Sequence, residues 1–460
     1  MTVSHEKREV PTVTANPGDS RIVRSGSFAL TGRALQLLVA VFTGLLVPLC
    51  LDPSDVGVFF LIQALLAAGA IVAQLGLTLT IPTIVTEALA RSDYGRAWSA
   101  AIRTLLLCAI AGIVVSAGSG ILTLALDKFV GSAIASAIRS LLPFVMLLTP
   151  LLAFLAVLVE LHRSIGAIGD ASFLPVAPGL MLGLLILAAL AFSVRLSLFD
   201  VLLVQLLAVA SAVLAGLASL GRRTRNWNRS NERDVDVAYI LGKSWPNLVT
   251  TFSLFLISTL DIWIVGLFGS VVEVAQYGLG LRLANLFLIP LATVNATIVP
   301  LIVSSWTRRR LRYLQWLLTL TATGATILTV LGYLGFMIAG GTAIRTIWGP
   351  IYEPAFTVAM ILGLSQVIHT AGGSAGYILL LLGKQRLMMA ITIALGIVTV
   401  AVAALAMIKW GSLGVALTYG GVNILQTAIF VYLSRRHYGL VTHAAIANPL
   451  RLLRTNTPII

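Results

Sequence analysis

Twelve apolar runs, each about as long as a bilayer is thick, follow one another through this chain with little between them. They lie at about 28–50, 56–79, 98–126, 140–161, 171–193, 199–220, 244–268, 277–302, 314–340, 354–382, 388–408 and 411–433. A helix needs about 20 apolar residues to cross the hydrocarbon core. Of the 460 residues 58% are hydrophobic and only 10% charged, too few charges to keep such a surface in water. Barrel strands would be half as long and would alternate in polarity. The runs therefore predict an all-α polytopic membrane protein of about 12 transmembrane helices.

Lys and Arg predict the orientation, because loops on the inner side carry them in excess. With the N-terminus inside, inner segments hold 23 of the 31 Lys and Arg and outer loops hold 5. The remaining three, Arg33, Arg103 and Arg282, fall within spans. Both termini are expected inside. The net charge of +14 is then loop charge, and no nucleic-acid partner is needed to explain it. The first run is too long for the apolar core of a cleavable signal peptide.

The densest basic stretch, within 221–243, divides the spans six and six. The expected organisation is a disordered tail (1–22), an N-terminal six-helix bundle (23–220), a basic linker (221–243), a C-terminal six-helix bundle (244–434) and a tail (435–460). Two halves that each start and end inside suit parallel repeats. "DPSDVG" and, about 25 residues on, "IPTIVTEALAR" answer "VEVAQYG" and "VPLIVSSWTRRR". Gly57 matches Gly278, and Pro82 matches Pro300.

Several chemistries are left without support. Cys50 and Cys108 lie in apolar runs, and the five histidines show no ligand spacing, so neither a disulfide framework nor a metal is expected. No Walker sequence is present, and "GLGL" at 278–281 lacks the third glycine and the preceding strand of a dinucleotide site. No cofactor is expected. The loops are too short for a soluble catalytic domain, so a transporter is expected rather than an enzyme. Two rival readings stay open. One is a small-molecule efflux antiporter. The other is a membrane glycosyltransferase or polymerase that uses Asp52 and Asp55.

Polar side chains in hydrocarbon face protein or water. At helical spacing they form stripes on four spans. Span 1 carries Arg33 and Gln36, and span 2 carries Gln63 and Gln74. Span 7 carries Asn247 and Asp261, and span 8 carries Arg282 and Asn285. Spans 1, 2, 7 and 8 occupy corresponding places in the two halves, so their stripes are expected to meet in a central hydrated cavity. Helix–helix packing alone would produce similar stripes of Gln, Asn and Ser. Two arginines and an aspartate favour the cavity. His369 lies on a lesser stripe of span 10.

These segments also resemble a known family. "LDPSDVGVFF", "LDIWIVGLFGSVVEVAQYGLGLRLANLFLIP", "VNATIVPLI", "YEPAFTVAMILGLSQV" and "WGSLGVALTYGGVNILQ" resemble the multidrug/oligosaccharidyl-lipid/polysaccharide (MOP) exporter superfamily. Within it they are most similar to Wzx-type polysaccharide flippases. The resemblance spans roughly 28–435 and rests on loose Gly, Pro and Asp patterns. It implies two six-helix bundles in a V around a central cavity, in the bacterial cytoplasmic membrane. It also implies alternating-access transport of an undecaprenyl-pyrophosphate-linked oligosaccharide, with polysaccharide polymerase and other assembly proteins as partners. Arg33 and Arg282 match the cationic positions of such cavities. Gln36, Gln63, Gln74, Asn247 and Asn285 would then serve the sugars, and Asp261 would carry a coupling cation or pair with an arginine.

Overall fold

A computed structural model of the protein describes residues 20–124, 132–227 and 235–445. Among them every regular element is helical. The first half comprises α1 (Ser20–Cys50), α2 (Pro53–Ala73), α3 (Leu77–Ala90), α4 (Tyr94–Leu124), α5 (Ser132–Ser140), α6 (Leu142–Ser164), α7 (Ile168–Phe173), α8 (Ala177–Ala191) and α9 (Leu198–Thr224). The second comprises α10 (Val237–Phe268), α11 (Val271–Leu286), α12 (Ile289–Thr307), α13 (Leu311–Ile347), α14 (Pro354–Gly372), α15 (Ala375–Leu381) and α16 (Gln385–Tyr438). Among the described residues seven helices, or nine when two bent pairs are counted as spans, are long and apolar enough to cross a bilayer. The shorter apolar stretches Leu38–Cys50 and Ala177–Ala191 add two.

α16 supplies two legs. Gly411 breaks it at φ 60° and ψ −153°, a conformation that glycine alone adopts freely. A Cβ on Gly414 would lie 2.4 Å from the Ala406 carbonyl, so the second arm leaves the turn against bare backbone. This glycine spacing makes a hairpin of what would otherwise be one 54-residue rod.

The repeat is visible in how spans 2 and 8 are built. Each is broken in mid-course, span 2 between α2 and α3, span 8 between α11 and α12. The axes at the second break differ by 49°, and Pro290 just beyond it has no N–H to continue the ladder. The two halves meet through α2 on α11, α10 on α2 and α3, and α1 on α11 and α12. Each pairing joins a span 1 or 2 to a span 7 or 8. The matched glycines are reciprocal. A Cβ on Gly57 of α2 would lie 2.0 Å from the Val271 carbonyl of α11, and one on Gly278 of α11 would lie 2.1 Å from the Phe60 ring of α2. Close backbone approach of this kind is how helices pack in lipid, where dispersion replaces the hydrophobic effect.

Some boundaries differ from the sequence reading. α1 starts at Ser20, so helix extends into the predicted tail, whose first 19 residues lie outside the described set. α9 runs on to Thr224, where Arg222 and Arg223 oppose the helix dipole. α10 begins at Val237, capped by the Asp236 carboxylate, which accepts from the Ala238 N–H at 3.0 Å. The linker narrows to 225–236, of which 228–234 lie outside the described residues.

The chain after the last span also folds back. Gln315 of α13 grips Val441 from both sides, its amide NH donating to the Val441 carbonyl (2.5 Å) and its carbonyl accepting from the Val441 N–H (2.8 Å). Further along, the Ala444 N–H donates to the Ala371 carbonyl (2.8 Å) and the Ala445 N–H to Thr323 Oγ1 (3.1 Å). Leu440 and Thr442 are buried. Residues 439–445 therefore line a slot between α13 and α14 and are no free tail.

Candidate functional site

A cavity of about 480 Å³ opens where spans 1, 2, 7 and 8 converge. Ala40 and Val41 of α1, Gln63 of α2, Asp261 of α10, Arg282 and Asn285 of α11 and Ala292 of α12 are among its lining residues. Helical spacing predicts this convergence, since the small and polar residues share faces on these spans.

Arg282 is built into this wall from three directions. Its Nη1 donates to the Gly278 carbonyl one turn back, at 3.0 Å. Its guanidinium carbon stands 3.6 Å from the centre of the Phe60 ring, a cation–π contact made in low dielectric. Gly44 of α1 leaves room for the stem, since a Cβ there would lie 2.3 Å from Nε and 2.5 Å from Cδ. A residue of the second half is thus seated by two helices of the first. A guanidinium has five N–H donors, and this seat leaves donors for a ligand in the cavity.

Asp261 is held separately. Its Oδ1 accepts from the Ile262 N–H at 2.8 Å and its Oδ2 from the Tyr277 hydroxyl at 3.1 Å. It is 3% exposed, yet it forms no salt bridge with Arg282. The carboxylate and the guanidinium attract each other across the wall without a direct hydrogen bond, so the guanidinium N–H groups are not taken up by the carboxylate.

Gln63 lines the cavity but is already engaged. It and Gln205 of α9 exchange amide hydrogen bonds at 2.7 and 3.2 Å. Asn285 faces the cavity, on the same helix as Arg282 and one turn further on. The structure thus brings together Gln63, Asp261, Arg282 and Asn285.

Of the other four predicted residues, Asn247, Gln74 and Gln36 lie outside this lining. Asn247 donates to Thr80 Oγ1 at 3.0 Å, tying α10 to α3 and the halves to each other. Gln74 caps α2 at its break, its N–H donating to the Ala70 carbonyl at 2.9 Å. Gln36 is exposed, one turn from the cavity-lining Ala40. Arg33 belongs to α1, and its side chain lies outside the described residues. His369 bonds Thr427 Oγ1 at 2.8 Å, between α14 and α16. Sequence reasoning passes over Phe60, Gln205 and Tyr277, and it places Gly44 on the face of span 1 without giving it a role. Tyr277 has a readable signal, being the polar aromatic one loop beyond Asp261.

Among the described residues no group of three His, Cys, Asp or Glu could hold a metal ion. No protein-family model matches the sequence. No curated protein matches it either. Solved structures match over nearly the whole chain. An inward-facing multidrug resistance MATE family transporter of the MOP superfamily superposes with TM-score 0.72 at 16% identity, covering 92% of this chain and 96% of that one. An outward-facing MATE transporter of the superfamily gives 0.59 at 18% identity, with 95% and 97% covered. A MOP superfamily transporter from Pyrococcus furiosus, whose binding pocket has reversed polarity, gives 0.59 at 16% identity, with 90% and 95% covered. The chain therefore has the fold seen in these MATE transporters of the MOP superfamily.

Proposed function

We propose that the protein is an alternating-access transporter that carries a lipid-linked oligosaccharide across the bacterial cytoplasmic membrane. The head group moves through the central cavity while the polyprenyl tail stays in lipid. The fold supports the transporter reading. The observation that carries the substrate is Arg282, a guanidinium in a membrane cavity that forms no direct salt bridge with the nearby Asp261. A pyrophosphate is doubly anionic and cannot cross hydrocarbon bare, and guanidinium forks bind phosphate oxygens bidentately. Asn285 adds an amide for hydroxyl groups on the same wall.

The cavity volume favours a second reading, efflux of a small molecule. About 480 Å³ suits a drug-sized ligand in this conformation. A cationic drug would want Asp261 and would be repelled by Arg282, so the arginine separates the two.

The test is flipping of a fluorescent undecaprenyl-pyrophosphate oligosaccharide in liposomes, with and without a proton gradient. Flipping by the wild type and its loss in Arg282→Ala support the lipid-linked substrate. Dye or drug antiport with no flipping would establish the second reading.

A further inference from the structure

The basic end of the second half ties three turns into one knot around Tyr438. Its ring packs edge-on against Trp306 at 5.4 Å between centroids, and its hydroxyl donates to the Leu382 carbonyl at 2.7 Å. Trp306 stands two residues before Arg308, Leu382 two before Lys384, and Tyr438 two after Arg436. The packing beneath, from Ile298, Ile302, Leu314, Leu318, Ile378 and Leu440, fixes the turns. Seven cations therefore share one surface: Arg308, Arg309, Arg310, Lys384, Arg386, Arg435 and Arg436, all exposed.

The corresponding end of the first half is different. There Arg91 pairs with Glu87 (2.9 Å), Arg163 with Glu160, and Arg223 with Asp170 (3.0 Å). After Asp236 the chain has only three acidic residues, Asp261 in the cavity wall, Glu273 at the start of α11 and Glu353 before α14. None is near the knot in sequence, and Glu273 and Glu353 flank the opposite ends of their spans. Orienting the chain requires only an excess of cations on one side. It does not require that three arginines of one half be paired with carboxylates while the knot has no acidic residue near it in sequence. Exposed Tyr432 and Tyr313 add the amphipathic rings that settle at headgroup level.

We infer that the Tyr438 knot is a binding site for the phosphate headgroup of anionic phospholipids, the cations meeting the phosphate and the aromatic side chains the glycerol and upper acyl region. The site is separate from the transport cavity and does not depend on which substrate the cavity carries.

Native mass spectrometry of the full chain, titrated with dioleoyl phosphatidylglycerol or dioleoyl phosphatidylcholine, tests it. The wild type should retain phosphatidylglycerol in preference and lose the preference as ionic strength rises. Each cation removed should weaken retention by about fivefold. Arg308→Gln with Arg309→Gln, and separately Arg435→Gln with Arg436→Gln, should do so, while the Lys versions of the same positions retain binding. Arg91→Gln with Arg163→Gln in the first half should change nothing. No headgroup preference in the wild type, or equal losses in the first-half control, overturns the site. Binding of the lipid-linked pyrophosphate with no binding of phosphatidylglycerol would also overturn it.

Discussion

The guanidinium of Arg282 rests 3.6 Å above the ring of Phe60, a charge from the second half lying on an aromatic ring of the first. Gly44 completes the seat, so a side chain at 44 evicts the arginine without altering it. Gly44→Val is expected to reduce flipping to the level of Arg282→Ala, with Gly44→Ala between it and wild type. Yield and monodispersity in detergent serve as the folding control. Wild-type flipping by Gly44→Val would mean the guanidinium can work from elsewhere.

Asp261 keeps its place through Tyr277. Tyr277→Phe preserves the ring and removes the hydroxyl that donates to Oδ2 at 3.1 Å. A buried acceptor that loses its donor costs about 1–3 kcal/mol. Thermal unfolding in detergent should show that loss, and Asp261→Asn in the same background should recover part of it. An unchanged midpoint in Tyr277→Phe would show that the carboxylate is satisfied by Ile262 alone.

The Gln63–Gln205 pair calls for a double-mutant cycle. Either single change to Leu strands one amide, whereas changing both leaves an apolar contact. Interhelical hydrogen bonds in membranes average about 0.6 kcal/mol and reach about 1.7. The double variant should be more stable than the sum of the singles predicts. Strict additivity would mean that water or a ligand already competes for these amides.

Asp170, in the short helix α7, gives a pH dependence. Its carboxylate accepts from Ser219 Oγ and from Arg223 Nε, and these bonds hold its pKa below the ordinary 3.8. A pKa depressed in the folded state stabilises above the unfolded value and loses that contribution as pH falls through the folded one. Unfolding followed from pH 6 down to 3 should steepen below about 4 in the wild type. Asp170→Asn should show less of this acid limb, and parallel curves would count against the clasp.

Much of this was readable from hydrophobicity and charge, because both are collective signals. The spans and the convergence of spans 1, 2, 7 and 8 follow from period and parity. What escaped depends on single contacts. Gln63 looks like a free amide until Gln205, 142 residues away, is seen opposite it. Asn247 and Gln74 carry polar groups for structural reasons, one joining the halves and one ending a helix at a break. Gly44 resembles any packing glycine in a span, and only the arginine behind it gives it meaning. Residues 439–445 have no periodicity at all, since α13 and α14 hold them largely through main-chain groups.

The Gln315 grip can be tested directly. Gln315→Leu removes both bonds to Val441 and leaves its N–H and carbonyl without that partner. A loss of about 1–3 kcal/mol in thermal unfolding is expected. Protease accessibility beyond Tyr438 should rise with it. Unaltered protection would show that Thr323 and Ala371 suffice.

That slot also orders the assembly of the second half. Thr323 lies about 18 Å along α13 from its basic end, so the segment threads well inside the bundle. The chain that fills it is made after α16, whereas α13 and α14 enter the bilayer well before. Until then Gln315 and Thr323 have only their partners within α13, Gln315 donating to Thr319 Oγ1 and Thr323 Oγ1 to the Thr319 carbonyl. Insertion of the spans therefore does not finish this half. Residues 439–445, which follow α16, complete it by filling the slot between α13 and α14.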